Sequence, residues 1–167
     1  MADVRMINVT INGEIKQYPQ GTTFETIAKD YQDAYDSQIA CVSADGKIRE
    51  LFKKVSKDCT LEFFTLKDSI GHKIYVRTAT MLLFKSIFDL YGSDACQKCR
   101  VEFAIHNGHF INTNGAFPAD EEHATAIKNR MKELVESRIP LMKRAYPMDE
   151  AMDIFRRFNM KDKEKLF

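Results

Sequence analysis

An alternating strand followed by an Asn-Gly pair constrains the start of this chain more than any other feature of its sequence. In Met6–Ile11, apolar residues occupy every second position, which is typical of a strand with one buried face. Asn12-Gly13 comes next and is a strong hairpin signal, because both residues tolerate the positive φ that a two-residue turn requires. Residues 14–18 supply a partner strand, so the chain is predicted to begin with a β-hairpin.

One helix and two further strands are predicted before residue 67. Thr22 is placed to cap the helix, and Glu25 to complete a capping box. Short apolar runs at 39–42 and 60–66 are the predicted strands, and Asp45-Gly46 forms a turn between them. This order of elements predicts an α+β domain in which a small sheet curls over one helix, the β-grasp or ubiquitin-like arrangement.

A second set of elements follows a polar stretch, 67–73, which is predicted to be a linker because it contains Gly71. Apolar spacing then indicates alternating helices and strands, which together predict a second α+β domain. The predicted elements are a helix at 76–90, a hairpin formed by Arg100–Ile105 and 109–113 around Asn107-Gly108, a helix that begins after Asp120, an edge strand at 139–145, and a last helix after Pro147.

Composition narrows the class of protein. The 167 residues include 25 basic and 24 acidic side chains, which gives a net charge of +1. Strongly basic nucleic-acid-binding proteins have a much higher positive charge, so the composition does not indicate a protein of that class. No apolar run approaches the roughly 20 residues of a membrane-spanning helix. Four cysteines in a chain without a signal peptide predict reduced thiols, so we expect a cytoplasmic protein with no membrane partner.

Catalytic sequence motifs are absent. The sequence has no Gly-x-x-x-x-Gly-Lys-Ser/Thr loop, no nucleophile elbow and no glycine-rich dinucleotide turn. Its seven glycines occur singly. We therefore predict no catalytic residues and no catalysis by this chain itself.

Cys96 and Cys99 form a Cys-x-x-Cys pair, and His106 and His109 follow with a spacing that loosely resembles a zinc site with two Cys and two His ligands. The gap between the two pairs is short, and the histidines flank a predicted hairpin turn, where polar residues are exposed. A redox pair would need a thioredoxin-like βαβ context, which the sequence lacks. The alternative is a turn with exposed or half-buried thiols, and we predict no metal.

Arg77 and Thr78 are the candidate ligand-binding residues, because they lie at the predicted start of the 76–90 helix. Free N–H groups at a helix N-terminus bind anions, and an arginine adds a bidentate donor. His106 and His109, at the predicted hairpin, would line the rim of the same site. The alternative is a solvent-exposed arginine with Thr78 as a helix cap.

The first part of the chain resembles the TGS domain, the β-grasp module at the N-terminus of threonyl-tRNA synthetases. The matching stretches are INVTINGEIKQYPQGTTFETIAKD and IACVSADGKIRELFKKVSKDCTLEFFTLKD. Further on, IKNRMKELVESRIPLMKRAYPMDEAMDIF resembles the helix–strand–helix of the second, editing-type domain of these synthetases. The resemblance implies a TGS domain at 6–67 and a partial editing-like domain at 73–167.

The resemblance does not extend to the editing chemistry. The synthetase editing domain has two histidines four residues apart at the start of this helix, where the chain has Arg77 and Met81. Methionine cannot transfer protons. The second editing motif, a cysteine with a histidine four residues later, is expected beyond Phe167.

Bacterial nucleoside kinases of the uridine kinase type share this two-part N-terminal region, and IYVRTATMLLF resembles their helix more closely. That family has His-Ser before its hairpin, where this chain has Phe103-Ala104. Because of the resemblance in the helix, we expect a non-catalytic regulatory or ligand-binding region of such a kinase. Its expected partners are a nucleotide and the kinase's own downstream domains. No cofactor is expected in this chain, since ATP and magnesium would bind a kinase domain outside these residues.

The alternative is an RNA-binding fragment related to threonyl-tRNA synthetase, with tRNA as its partner and its editing chemistry lost. The TGS-like module and the basic doublets Lys143-Arg144 and Arg156-Arg157 favour this alternative. The net charge of +1 counts against it.

Overall fold

Two separate sheets, one in each of two structural units, organise this α+β protein. The computed structural model describes residues 5–105 and 108–166. The two units are Met1–Ala79 and Thr80–Phe167. The domain bounds that the resemblance implies, 6–67 and 73–167, stay a prediction.

The described part of the first unit contains a five-stranded mixed sheet, one short helix and the first residues of a long helix that begins at Ser69. Its elements before that long helix are β1 (Met6–Ile11), β2 (Glu14–Pro19), α1 (Phe24–Lys29), a 3₁₀ turn (Gln32–Ala34), β3 (Ile39–Ala44), β4 (Lys47–Arg49) and β5 (Cys59–Thr65). The strands lie in the order β2-β1-β5-β3-β4. β1 is parallel to β5, and the other pairs are antiparallel.

Two tight turns predicted from the sequence are confirmed. Asn12 and Gly13 have φ angles of 51° and 85°, and they join β1 to β2. Asp45 and Gly46 have φ angles of 50° and 76°, and they join β3 to β4. Positive φ at both central residues gives these turns the twist of the flanking strands, so each hairpin closes with two residues.

The core of the first unit lies between one face of the sheet and α1. Strict alternation along β1 buries every second side chain, as the sequence predicts. The buried members of the core are Ile7, Val9, Ile11, Tyr18, Phe24, Ile27, Ala28, Ile39, Val42, Val55, Leu61 and Phe63.

The predicted cap of α1 is wrong by one residue. Thr23, not Thr22, is the N-cap, and its hydroxyl accepts a hydrogen bond from the Thr26 backbone N–H at 3.2 Å. The Thr22 hydroxyl instead donates to the carbonyl of Pro19 at 2.7 Å. Because the helix begins one residue later, Glu25 does not occupy the position that a capping box requires.

The predicted linker at 67–73 is also wrong, because a helix, α2 (Ser69–Lys98), begins within it. The Asp68 carboxylate accepts hydrogen bonds from the Thr65 backbone N–H at 2.6 Å and the Thr65 hydroxyl at 2.8 Å. The carbonyl of Asp68 then accepts from the backbone N–H of His72 at 2.8 Å. These bonds turn the chain directly from β5 into α2, which leaves no room for a flexible linker.

The second unit consists of helices and a two-stranded sheet. α2 is interrupted at Gly92, whose φ of 82° and ψ of −179° are not helical. The next helix begins after Asp120, as predicted, and the Asp120 carboxylate caps it by accepting a hydrogen bond from the His123 backbone N–H at 2.9 Å. The elements after α2 are β6 (Arg100–Ile105), β7 (Gly108–Asn112), α3 (Glu121–Glu136), α4 (Met148–Arg157) and α5 (Lys161–Glu164).

The predicted edge strand at 139–145 is wrong, because residues 139–147 form neither a helix nor a strand. An edge strand needs a neighbour, and among the described residues β6 and β7 pair only with each other. Pro140 and Pro147 further remove two N–H donors from the segment. The segment is exposed along its whole length.

A smaller core holds the second unit together. Ile87 of α2, Cys99 and Ile127 of α3 are buried at its centre. None of the helices within 5–105 and 108–166 combines the length and apolar character of a membrane-spanning segment. The partly buried side chains that pack on this core are Leu83, Phe84, Tyr91, Cys96, Ala116, Phe117 and Met131.

Candidate nucleic-acid interface

A groove of about 450 Å³ lies on the first unit, beside β4 and the loop that follows it. Phe24 and Val55, both buried, contribute its apolar lining. We call this site the basic groove, because five cationic side chains line it. They are Lys47, Arg49, Lys53, Lys54 and Lys57.

Backbone hydrogen bonds fasten the loop that carries three of these cations. The Phe24 N–H donates to the carbonyl of Lys53 at 2.9 Å, and the Glu25 N–H donates to the carbonyl of Leu51 at 2.7 Å. The Val55 N–H donates to the carbonyl of Thr22 at 2.9 Å. The start of α1 therefore holds the loop in place, and the groove is formed without a ligand.

One carboxylate, Asp45, lies in the basic groove. It accepts a hydrogen bond from the Thr60 backbone N–H at 2.9 Å, and it lies 3.4 Å from the Lys57 ammonium. The Thr60 N–H, and to a smaller extent Lys57, lower the pKa of Asp45 below its ordinary value, so this carboxylate is ionised at neutral pH. The Asp45 charge offsets that of Lys57, and the charges of the other four cations that line the groove remain.

Three cations of the groove have no partner for their charge among the described residues. In the part of the chain that the structure describes, no ion pair or side-chain hydrogen bond engages Lys47, Arg49 or Lys54. The groove therefore has a positive potential, and backbone phosphates of a nucleic acid are ligands of matching charge.

This site was not predicted from the sequence, although the sequence contains a signal for it. Residues 47–57 include five basic side chains and one acidic side chain, Glu50. The overall charge of +1 hides this local excess, since acidic residues elsewhere balance it. A charge count over short windows would have found it.

The structure does not support the predicted placement of Arg77 and Thr78. Both residues lie inside α2, which begins at Ser69, so their backbone N–H groups are not free at a helix end. The Thr78 hydroxyl donates to the carbonyl of Ile74 at 3.1 Å, which rules out a capping role. The expectation of a helix N-terminal anion site here is therefore wrong, while ligand binding by these two side chains stays a prediction.

The two histidines of the same predicted site are only partly described. His109 is exposed on β7, where it pairs with Ala104 across the hairpin. His106 and Asn107 lie outside the described residues.

The Cys-x-x-Cys pair belongs to the core of the second unit. Cys99 is buried, and the Cys96 thiol is half-buried and donates a hydrogen bond to the carbonyl of Phe84 at 3.5 Å. Burial raises the pKa of both thiols, which favours the protonated form over the thiolate that metals bind. Within the described ranges, no three His, Cys, Asp or Glu side chains are grouped closely enough to hold a metal ion.

The two basic doublets lie in the second unit. Arg156 on α4 forms ion pairs with Glu164 at 2.9 Å and Asp153 at 3.2 Å. Lys143 and Arg144 lie in the exposed segment 139–147. The basic groove combines a fixed loop with three cations that no described ion pair engages, so it is the stronger candidate site.

Comparison with known proteins finds similarity to threonine–tRNA ligases. The chain is 24% identical to that of Symbiobacterium thermophilum over 151 residues, 28% identical to that of Clostridium kluyveri over 148 residues, and 27% identical to that of Thermotoga maritima over 148 residues. These matches cover 90%, 88% and 87% of the chain but only 23%, 23% and 22% of the ligases. No family model matches the chain.

These relatives favour one of the two functions considered from the sequence. Their name supports the alternative, a fragment related to threonyl-tRNA synthetase, better than the main expectation of a kinase regulatory region. The chain spans less than a quarter of the length of these relatives. Nearly the whole chain is thus similar to a part of threonine–tRNA ligases.

Proposed function

We propose that this chain is a non-catalytic RNA-binding module that holds tRNA in the basic groove. The observation that carries the proposal is a set of three cations whose charge no ion pair engages among the described residues: Lys47 and Arg49 on β4, and Lys54 on the loop that backbone hydrogen bonds fix. The similarity to threonine–tRNA ligases supports tRNA as the class of RNA. A cytoplasmic location, where tRNA is found, is part of the same proposal.

The fold supports a relation to the TGS domain. In the proposed assignment, the sheet order β2-β1-β5-β3-β4 with α1 on one face is a β-grasp fold. The parallel pairing of β1 with β5 places the first and last strands of the module side by side within the sheet. The outer strand β4 and the loop after it then remain free to present the basic groove.

We propose that the editing chemistry of the synthetases is absent from this chain. Arg77 and Met81, at the positions of the two editing histidines in the resemblance, lie one turn apart on α2 and are both exposed. A guanidinium stays protonated at any physiological pH, and a thioether has no proton to transfer. Neither side chain can act as a general base.

The test is a titration of the 167-residue chain with labelled tRNA at two salt concentrations. We expect binding that weakens steeply as salt rises, because phosphate contacts release counterions. A variant with Lys47→Gln, Arg49→Gln and Lys54→Gln is expected to bind about tenfold more weakly or worse at low salt, with a shallower salt dependence.

A matched control removes the same number of charges outside the groove. Lys73→Gln, Lys98→Gln and Lys132→Gln alter three exposed lysines on α2 and α3, and this variant is expected to keep most of the tRNA affinity. Equal losses in both variants would mean that binding follows net charge rather than the groove. Binding of a free nucleoside triphosphate without binding of tRNA would instead favour the kinase-related function.

A further inference from the structure

A large aromatic side chain is exposed next to Lys53, one of the residues that line the basic groove. Phe52 is 53% exposed, whereas the preceding residue, Leu51, is partly buried. It lies between Leu51, which packs on the core, and Lys53, which lines the groove. The exposed ring retains apolar surface, and covering that surface with a ligand would be favourable.

Hydrogen bonds fix the backbone around Phe52, so the direction in which its side chain leaves the backbone is also fixed. Lys53 N–H donates to the carbonyl of Glu50 at 3.0 Å and closes a turn in which Leu51 and Phe52 are the central residues. The carbonyls on both sides of Phe52, those of Leu51 and Lys53, are held by α1. Leu51 anchors the turn in the core while Phe52 projects outward.

The surroundings of the ring suit a nucleobase. The Lys53 ammonium lies 5.3 Å from the centroid of the Phe52 ring, within the range of a cation–π contact. Lys54 follows in sequence and, like Lys47, has a charge that no ion pair engages among the described residues. An aromatic platform flanked by cations is the arrangement that binds single-stranded nucleic acid, with bases on the ring and phosphates on the cations.

We propose that Phe52 stacks on an unpaired base and that the basic groove therefore prefers single-stranded RNA, such as a loop or the free end of a tRNA, over a duplex stem. This inference rests on the proposed function and names the part of the RNA that the groove takes. Bases inside a duplex are stacked on each other on both faces, so they offer no face to an external ring. An unpaired base has a free face on which the Phe52 ring can stack.

The experiment uses the full chain, a short fluorescein-labelled oligoadenylate, and the same strand annealed to its complement. We expect tighter binding of the single strand. Phe52→Ala should weaken single-strand binding roughly tenfold and leave duplex binding unchanged. Phe52→Trp should restore the affinity, because an indole also stacks.

Two comparisons separate stacking from other effects. Tyr75→Ala removes another exposed aromatic side chain, 56% exposed on α2, and is expected to leave RNA binding unchanged. The loss from Phe52→Ala should be the same at low and high salt, whereas Lys54→Gln should make the salt dependence shallower. Circular dichroism checks that each variant is folded.

The outcomes distinguish the inference from the proposed function. If the wild type binds the duplex as tightly as the single strand, or if Phe52→Ala changes nothing, the stacking inference is overturned. The proposed function still stands in that case, provided that the triple groove variant loses tRNA. If the wild-type chain binds no RNA of either kind, the proposed function fails and the inference fails with it.

Discussion

Gly71 lies so close to Thr65 that a Cβ atom on the glycine would be 2.0 Å from the Thr65 carbonyl oxygen. The same Cβ would lie 2.8 Å from the carbonyl carbon. The obstacle is backbone, which cannot move aside as the end of a flexible side chain would. Gly71→Ala is therefore expected to destabilise the first unit by about 3 kcal/mol, as measured by urea unfolding.

The control for this prediction is the adjacent residue on the same turn. His72 is exposed on α2, and His72→Ala is expected to change the free energy of unfolding by less than about 0.5 kcal/mol. If Gly71→Ala is as stable as His72→Ala, α2 does not pack on the end of β5 as described.

Tyr18 and Asp30 give a second prediction, which concerns high pH. The Tyr18 hydroxyl donates a hydrogen bond to the Asp30 carboxylate at 2.9 Å. Burial, together with this bond, raises the pKa of Tyr18 from its ordinary value of 10.0 to about 12. Its ionisation should therefore appear late in an absorbance titration of the six tyrosines.

The sign of the effect on stability follows from the raised pKa. The unfolded state ionises Tyr18 near pH 10.0, while the folded state holds the proton until about pH 12. Stability from this site is thus complete below pH 10 and is lost as the pH rises through the folded value. Tyr18→Phe should remove the late titration step and the matching part of the alkaline loss of stability. A late step that survives this substitution would belong to another tyrosine.

The sequence was most informative where local chemistry determines the backbone. The pairs Asn12-Gly13 and Asp45-Gly46 set the turns, because few other residues adopt positive φ readily. The alternation in β1 identified its buried face, because successive side chains of a strand point to opposite faces of the sheet. These features depend on neighbours in the chain, so one sequence was enough.

The sequence failed where tertiary contacts decide the structure. Gly71 was interpreted as a linker glycine, but it is needed for close packing against Thr65. The segment 139–145 has the composition of a strand, but no described strand lies beside it to form a ladder. Arg77 does not lie at the predicted helix N-terminus, because α2 begins eight residues earlier, at Ser69. In each case the deciding partner is distant in the sequence or is not predicted by periodicity.

Asp120 gives a third prediction, on the second unit. Its carboxylate caps α3 by accepting a hydrogen bond from the His123 backbone N–H at 2.9 Å. That N–H lowers the pKa of Asp120 below its ordinary value of 3.8. Asp120→Ala should lower the thermal midpoint of the second unit by a few degrees, since one helical N–H loses its acceptor.

Asp120→Asn is the matched control, because asparagine also caps helices well. Near neutral pH this variant should unfold close to the wild-type midpoint. The wild type should lose the contribution of the cap as the pH falls below about 4, through the lowered pKa of the folded state, and the asparagine variant should not. Equal acid sensitivity in the two proteins would place the acid-labile group elsewhere.

The last prediction concerns the four cysteines, which differ in exposure. Cys41 and Cys99 are each 1% exposed, whereas Cys59 and Cys96 are half-buried. Burial raises the pKa of all four thiols, so little thiolate is available at pH 8 in the folded chain. Pulsed alkylation followed by mass spectrometry should label Cys41 and Cys99 last, and unfolding in urea should make all four react alike.

Zinc added to the reduced chain is expected to leave the labelling of Cys96 and Cys99 unchanged, because their thiols face the core of the second unit. Protection of both cysteines by zinc, with no change at Cys41 and Cys59, would contradict this prediction and establish a metal site at the Cys-x-x-Cys pair.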